Sequence, residues 1–181
     1  DPDGVTVEVA TGADPQAATD EFLRTLNDGN LPDLPSLTDE ERTYLIAMNG
    51  ADGRFGGATS RLYTAVQRSP FGPRRTARVF LEGFFSAVED HVDALGALRP
   101  PAAVRDAHDD YLDALNQVLD AETQATEALA DADGATVDEL LDTLGGDSML
   151  RPLFERVGTV CGTIQDFAYR HGGPRPCEAD G

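Results

Sequence analysis

The chain has 181 residues, enough for one domain with a real core, and 40% of them are hydrophobic. Its formal net charge is −19: 33 acidic residues face 14 basic ones, and every basic residue is arginine. Such a body repels phosphates, which excludes nucleic acid and disfavours an anionic membrane surface as partners, and no apolar run reaches the ~18 residues of a membrane span.

In chain order, the first 14 residues are polar and glycine-rich and read as a flexible segment. Within them only Val5-Thr-Val-Glu-Val9 alternates like a strand, and it has no partner. Asp14 and Pro15 suit the N-cap and first position of a short helix with Phe22, Leu23 and Leu26 on its apolar face. A proline-rich connector follows at 29–37. Thr38 to Glu41 is T-x-x-E, a capping box. From there Tyr44, Met48, Ala51, Phe55, Ala58, Leu62 and Ala65 step 4-3-4-3-4-3. That seam crosses the stretch MNGADGRFGGAT, residues 48–59, without losing phase. A loop has no reason to keep phase, so residues 39–69 are expected to be one helix; a break near Gly56-Gly57 is the alternative. The four glycines fall off the seam and cost about 1 kcal/mol each relative to alanine.

Ser69-Pro-Phe-Gly-Pro73 is a turn, with Pro73 fit for the next helix start. Ala77, Leu81, Phe84, Val88, His91, Leu95 and Leu98 carry the second seam to the stop at Arg99-Pro-Pro101. The third runs from Val104 through His108, Tyr111, Leu115, Val118, Glu122, Ala125 and Leu129 to Ala132. A short helix is expected at about 136–144. The last long one, about 148–171, carries Leu150, Leu153, Val157, Val160, Ile164, Phe167 and His171, with Gly172-Gly173 as its cap. Four long amphipathic helices with short connections imply an antiparallel up-down four-helix bundle. It is expected to form one domain over 15–177, with a tail at 178–181.

Two cysteines, Cys161 and Cys177, permit one disulfide; two free thiols are the alternative. Cys161 lies about 15 Å down the last helix from His171, and the six-residue tail extends to roughly 20 Å, enough to return. An unpaired thiol in that Pro/Gly tail would be liable to oxidise. The start at Asp1 without Met, followed by a polar segment, is how a trimmed, exported chain begins, downstream of a removed signal or a lipid anchor. The lysine-free, Ala/Gly/Asp/Arg-rich composition is that of a GC-rich genome, and a halophile would also tolerate the charge.

The stretch LGALRPPAAVRDAHDDYLDAL resembles the helix–Pro-Pro–helix hairpin of exported helical proteins and lipoproteins of high-GC Gram-positive bacteria and related lineages. VCGTIQDFAYRHGGPRPC is similar to their close, a cysteine in the last helix and a second one ending a short tail. LTDEERTYLIAM resembles the opening of their first long helix. The resemblance covers about residues 37–177 and rests on Ala, Leu and Asp at helical spacing. It implies an extracytoplasmic helical bundle and no particular activity. The lipid-bearing cysteine of a lipoprotein is absent from this start.

Three constellations bear on function. His91, His108 and His171 all fall on seams. Matching heights across antiparallel pairs puts His91 level with His108, His108 opposite about 172, and His91 opposite about 51, beside Asp52. Three imidazoles and one carboxylate suit Zn or Cu in a bundle core. The alternative makes each histidine a core residue bonded to Tyr44, Tyr111 or a backbone carbonyl, with His171 stabilising a helix C-terminus. Arg68, Arg74, Arg75 and Arg78 crowd one tip, an expected patch for an anion or acidic partner, or a surface cluster answered by the chain's own carboxylates. Asp106, Asp109, Asp110 and Asp113 form one acidic face without the loop of an EF-hand, hence a solvated face. No nucleophile–base or acid pair stands out. The expected function is therefore non-catalytic binding of a partner protein or small ligand at the cell surface, the alternative being a metal-binding or metal-sensing bundle.

Overall fold

A computed structural model describes residues 36–132, 136–145, 150–174 and 176–177. The chain divides into two compact units, Asp1–Pro35 and Ser36–Gly181. The short helix expected from Asp14, the Val5–Val9 segment and the tail at 178–181 lie outside the described residues.

The second unit is all-helical among the described residues. Its helices are α1 (Asp39–Gln67), α2 (Pro73–Gly96), α3 (Arg105–Asp120, entered through a 3-10 turn at Ala102–Val104), α4 (Glu122–Asp131), α5 (Val137–Gly145) and α6 (Leu150–Arg170). α1 packs on α2, α2 on α3 and α3 on α6; α4 and α5 pack on each other and on α2. No helix there is long and apolar enough to cross a membrane.

Thr38 opens α1 with a complete capping box. Its hydroxyl accepts from the Glu41 N–H at 3.2 Å, and its own N–H donates to Glu41 Oε2 at 2.8 Å. The Thr38 N–H and hydroxyl, both donating to Glu41 Oε2, hold the Glu41 carboxyl below the usual carboxylate range. The helix then runs unbroken through Gly50, Gly53, Gly56 and Gly57. Packing of Tyr44, Leu45, Met48 and Ala51 into the core anchors its first half and offsets the low helix propensity of the glycines. Pro73 starts α2 at its first turn, where a missing N–H costs nothing.

The single helix expected over 104–132 is instead two. Ala121 sits at φ −81°, ψ −4°, and its N–H bonds back three residues to Val118 O at 3.2 Å. The buried stripe then passes from Val118 to Ala125 and Leu129 by way of half-buried Ala121, and Glu122 is exposed. A carboxylate in the core would be costly; alanine in its place is not. At the other end of the unit, α6 closes in a Schellman motif. Gly172 has φ +63°, the left-handed region open to glycine, and the Gly173 N–H reaches Ala168 O at 2.8 Å. Gly173 then lies against α1: a Cβ there would meet Leu37 Cδ1 at 2.8 Å and Leu45 Cδ1 at 3.0 Å. The tail so directed puts Cys177 within disulfide distance of Cys161, their Cα atoms 6.1 Å apart.

Candidate functional site

The middle of the unit holds a buried polar layer. Asp52 on α1 projects toward α2 and the tail. Its Oδ2 accepts from the Cys177 backbone N–H at 2.9 Å, and its Oδ1 lies 3.3 Å from His91 Nε2 on α2. The same nitrogen is 3.3 Å from the Tyr111 hydroxyl on α3. Beside them, the Tyr44 hydroxyl hydrogen-bonds with His108 Nδ1 at 2.9 Å and touches Met48 Sδ at 3.4 Å.

Burial dominates the electrostatics of this layer. It pushes Asp52 up to about 6, against the Cys177 N–H, which pulls the other way. It pushes His91 down to about 4, helped by the nearby Arg54 charge, and lowers His108 as well. Tyr44 and Tyr111 are raised by burial and by the Asp52 charge. At neutral pH the Asp52–His91 contact is therefore a carboxylate accepting from a neutral imidazole, not an ion pair. With its proton on Nε2, His91 presents Nδ1 as a bare acceptor, and that buried atom has no hydrogen-bond partner among the described residues. An unmet buried acceptor costs about 1–3 kcal/mol.

Of the four residues expected to hold a metal, the structure brings together Asp52 and His91. His108 is engaged by Tyr44. His171 lies at the end of α6, its Nδ1 2.8 Å from Phe167 O and its ring tilted on Phe167 at 4.4 Å. The three imidazoles do not converge on one ligand centre. The reason is geometric: His171 sits past the last turn of α6, where its nearest acceptor is its own helix. Among the described residues, three ligand atoms gather within 4.8 Å of one another only at Asp52, Cys161 and Cys177, and there the two sulfurs are paired with each other.

The four arginines expected to form an anion or partner patch have different surroundings. Arg74 crosses to the end of α4, donating to the carbonyls of Ala130 and Ala132, the latter at 2.6 Å. It answers the negative end of one helix from the positive end of another, which removes the clash with its own helix dipole. The Arg75 guanidinium lies over the Phe71 ring at 4.0 Å. Arg68 and Arg78 are exposed, as are Asp106, Asp109, Asp110 and Asp113.

One concavity stands next to the polar layer. It is a cleft of about 740 Å³ between α1 and α2, floored by Gly50, Gly53, Gly57 and Ala58 on one side and Ala87 and Ala94 on the other. Phe55 stands in it, stacked on the His91 ring at 4.9 Å. Its polar groups are Arg54 and Arg61 on α1 and Asp90 and His91 on α2. Sequence reasoning noticed these glycines only as a cost to the helix. The signal was present: Gly50, Gly53 and Gly57 are at i, i+3 and i+7 on one stripe, and Arg54 and Arg61 are one heptad apart on the next.

No protein-family model, curated protein or solved structure matches the chain.

Proposed function

We propose that the chain is a non-catalytic, extracytoplasmic helical bundle, its long helices running up and down antiparallel, that binds a small ligand in the α1–α2 cleft at the cell surface. The cleft itself carries this reading. Its volume falls within the roughly 300–1,000 Å³ of small-molecule sites, and an apolar floor with a few convergent polar groups is the usual make-up of one. The lining offers no hydroxyl or thiol nucleophile, and its one imidazole is too weakly basic at about 4 to serve as a base poised near neutrality. The cysteine pair supports an oxidising compartment, as does the resemblance to exported helical proteins.

A titration of the labelled full chain with neutral, anionic and cationic small organic probes, followed by amide NMR, tests the site. Shifts are expected at Gly53, Phe55 and Ala87, and they should vanish in Gly53→Phe, which plugs an open position where an added Cβ meets nothing within 4 Å. Probes that leave those resonances still, or shifts that survive the plug, would overturn the cleft as a ligand site. Recovery of the native protein in the cytosolic fraction of its source cells would overturn the compartment.

A further inference from the structure

Resting on the cleft reading and going one step deeper, we infer that the ligand is a small elongated dicarboxylate whose two acidic ends pair with Arg54 and Arg61. Both arginines line the cleft, and both fold back over the glycine four residues before them. Arg54 Nη1 lies 3.7 Å from where a Cβ on Gly50 would be, and Arg61 Nη1 lies 3.5 Å from the same point on Gly57. The glycines thus make room for the guanidiniums. The fold-back is the same at both, so the charges keep the spacing of one heptad along the helix, about 10 Å.

Neither guanidinium has a carboxylate of the described residues within 4.0 Å. In a chain with 33 acidic residues, two such cations on one cleft wall are a local reversal of sign. Asp90 is the single acid of the lining, exposed on the opposite helix. Between the two charges along α1 the cleft is lined by Phe55, Gly57 and Ala58, which suits an apolar spacer.

The ends favour carboxylate over phosphate. One planar guanidinium per end matches the two oxygens of one carboxylate in a fork-to-fork pair. A phosphate is held by several donors, typically a helix N-terminus, and this cleft runs along the middle of α1 and the C-terminal half of α2.

The experiment uses four probes of one chain length: octanedioate, octanoate, octane-1,8-diol and octane-1,8-diamine. Each is titrated into the labelled full chain at low salt, with amide and arginine side-chain NMR as the readout. Octanedioate is expected to shift the cleft amides together with Arg54 and Arg61 Nε–H. Octanoate should bind about tenfold more weakly, and Arg54→Gln and Arg61→Gln should each weaken octanedioate by about the same factor, one charge-assisted pair being lost in each case. Both positions are exposed, so the variants should keep the parent's circular dichroism and melting profile. If the diol or diamine shifts the cleft as strongly as octanedioate, or if the two Gln variants leave octanedioate affinity unchanged, the dicarboxylate assignment falls while the cleft stands as a ligand site. If none of the four moves the cleft resonances, the assignment falls too; the broader probe panel and the Gly53→Phe plug then decide the cleft separately.

Discussion

The two halves of α1 carry the same heptad seam and live in different surroundings. Tyr44, Leu45, Met48 and Ala51 are buried; beyond Ala51 no residue of the helix is. Phe55, Ala58 and Leu62 continue the seam half-exposed, and Ala65 is exposed. The first half has large side chains that α2, α3 and the tail close over. In the second half the glycines leave α1 without the volume to fill the space against α2, and a cleft remains. Phase alone keeps a helix; side-chain volume decides whether its face becomes core or groove.

The largest expected effect separates those halves directly. Leu45→Ala removes a fully buried side chain and should cost about 2–5 kcal/mol in urea denaturation, whereas Leu62→Ala should cost less than about 1 kcal/mol. Equal losses would mean that the second half is as much core as the first.

The tail is the second lever on the buried half. Replacing Cys161 and Cys177 together by serine opens a loop with a sequence separation of 16 and should cost about 3 kcal/mol. The loosened tail also withdraws the Cys177 N–H from Asp52, so the Asp52 carboxyl should titrate higher still than about 6. Carboxyl NMR would follow that shift, and an Asp52 titration indifferent to the cysteines would show that the tail is held without them.

Acid probes the polar layer with two opposed signs. Asp52 titrates at about 6 in the fold and near 4 unfolded, so its share of stability grows as pH falls through that window. His91 titrates at about 4 in the fold and near 6.5 unfolded, so its share is lost as pH falls through nearly the same range. The two offset each other. Asp52→Asn should therefore lose stability relative to the parent between pH 7 and pH 5, while His91→Gln should gain. Thermal melts at the two pH values give both slopes, and slopes of the same sign would break the argument.

The smallest effects lie on the cleft side. Gly53→Ala and Gly56→Ala add a Cβ into open space and should each stabilise by about 0.5–1 kcal/mol. Gly83→Ala on α2 would bring its Cβ to 2.6 Å from Leu62 Cδ2, so it should gain less or lose. A melting series in which Gly83→Ala leads would mean that α1 and α2 do not approach closely there.

Several features were legible in the sequence because local chemistry suffices for them. Thr38 and Glu41 are three residues apart and cap α1 whatever surrounds it. Pro73 starts α2, Gly172 ends α6, and the unbroken seam carries α1 through its glycines. The cysteine pairing was legible for a related reason, since the tail is short and its reach is bounded. Tertiary structure decided what depends on which helix a side chain meets. Ala121 instead of Glu122 joins the buried stripe because α4 turns to spare a carboxylate from the core. Arg74 finds the carbonyls of Ala130 and Ala132 only because α4 ends beside α2. His91 meets Asp52 and Tyr111 while His171 stays with its own helix, although all three histidines hold equivalent seam positions. The cleft belongs to this second kind, because a groove is volume that two helices jointly fail to fill, and no single helix's periodicity contains it.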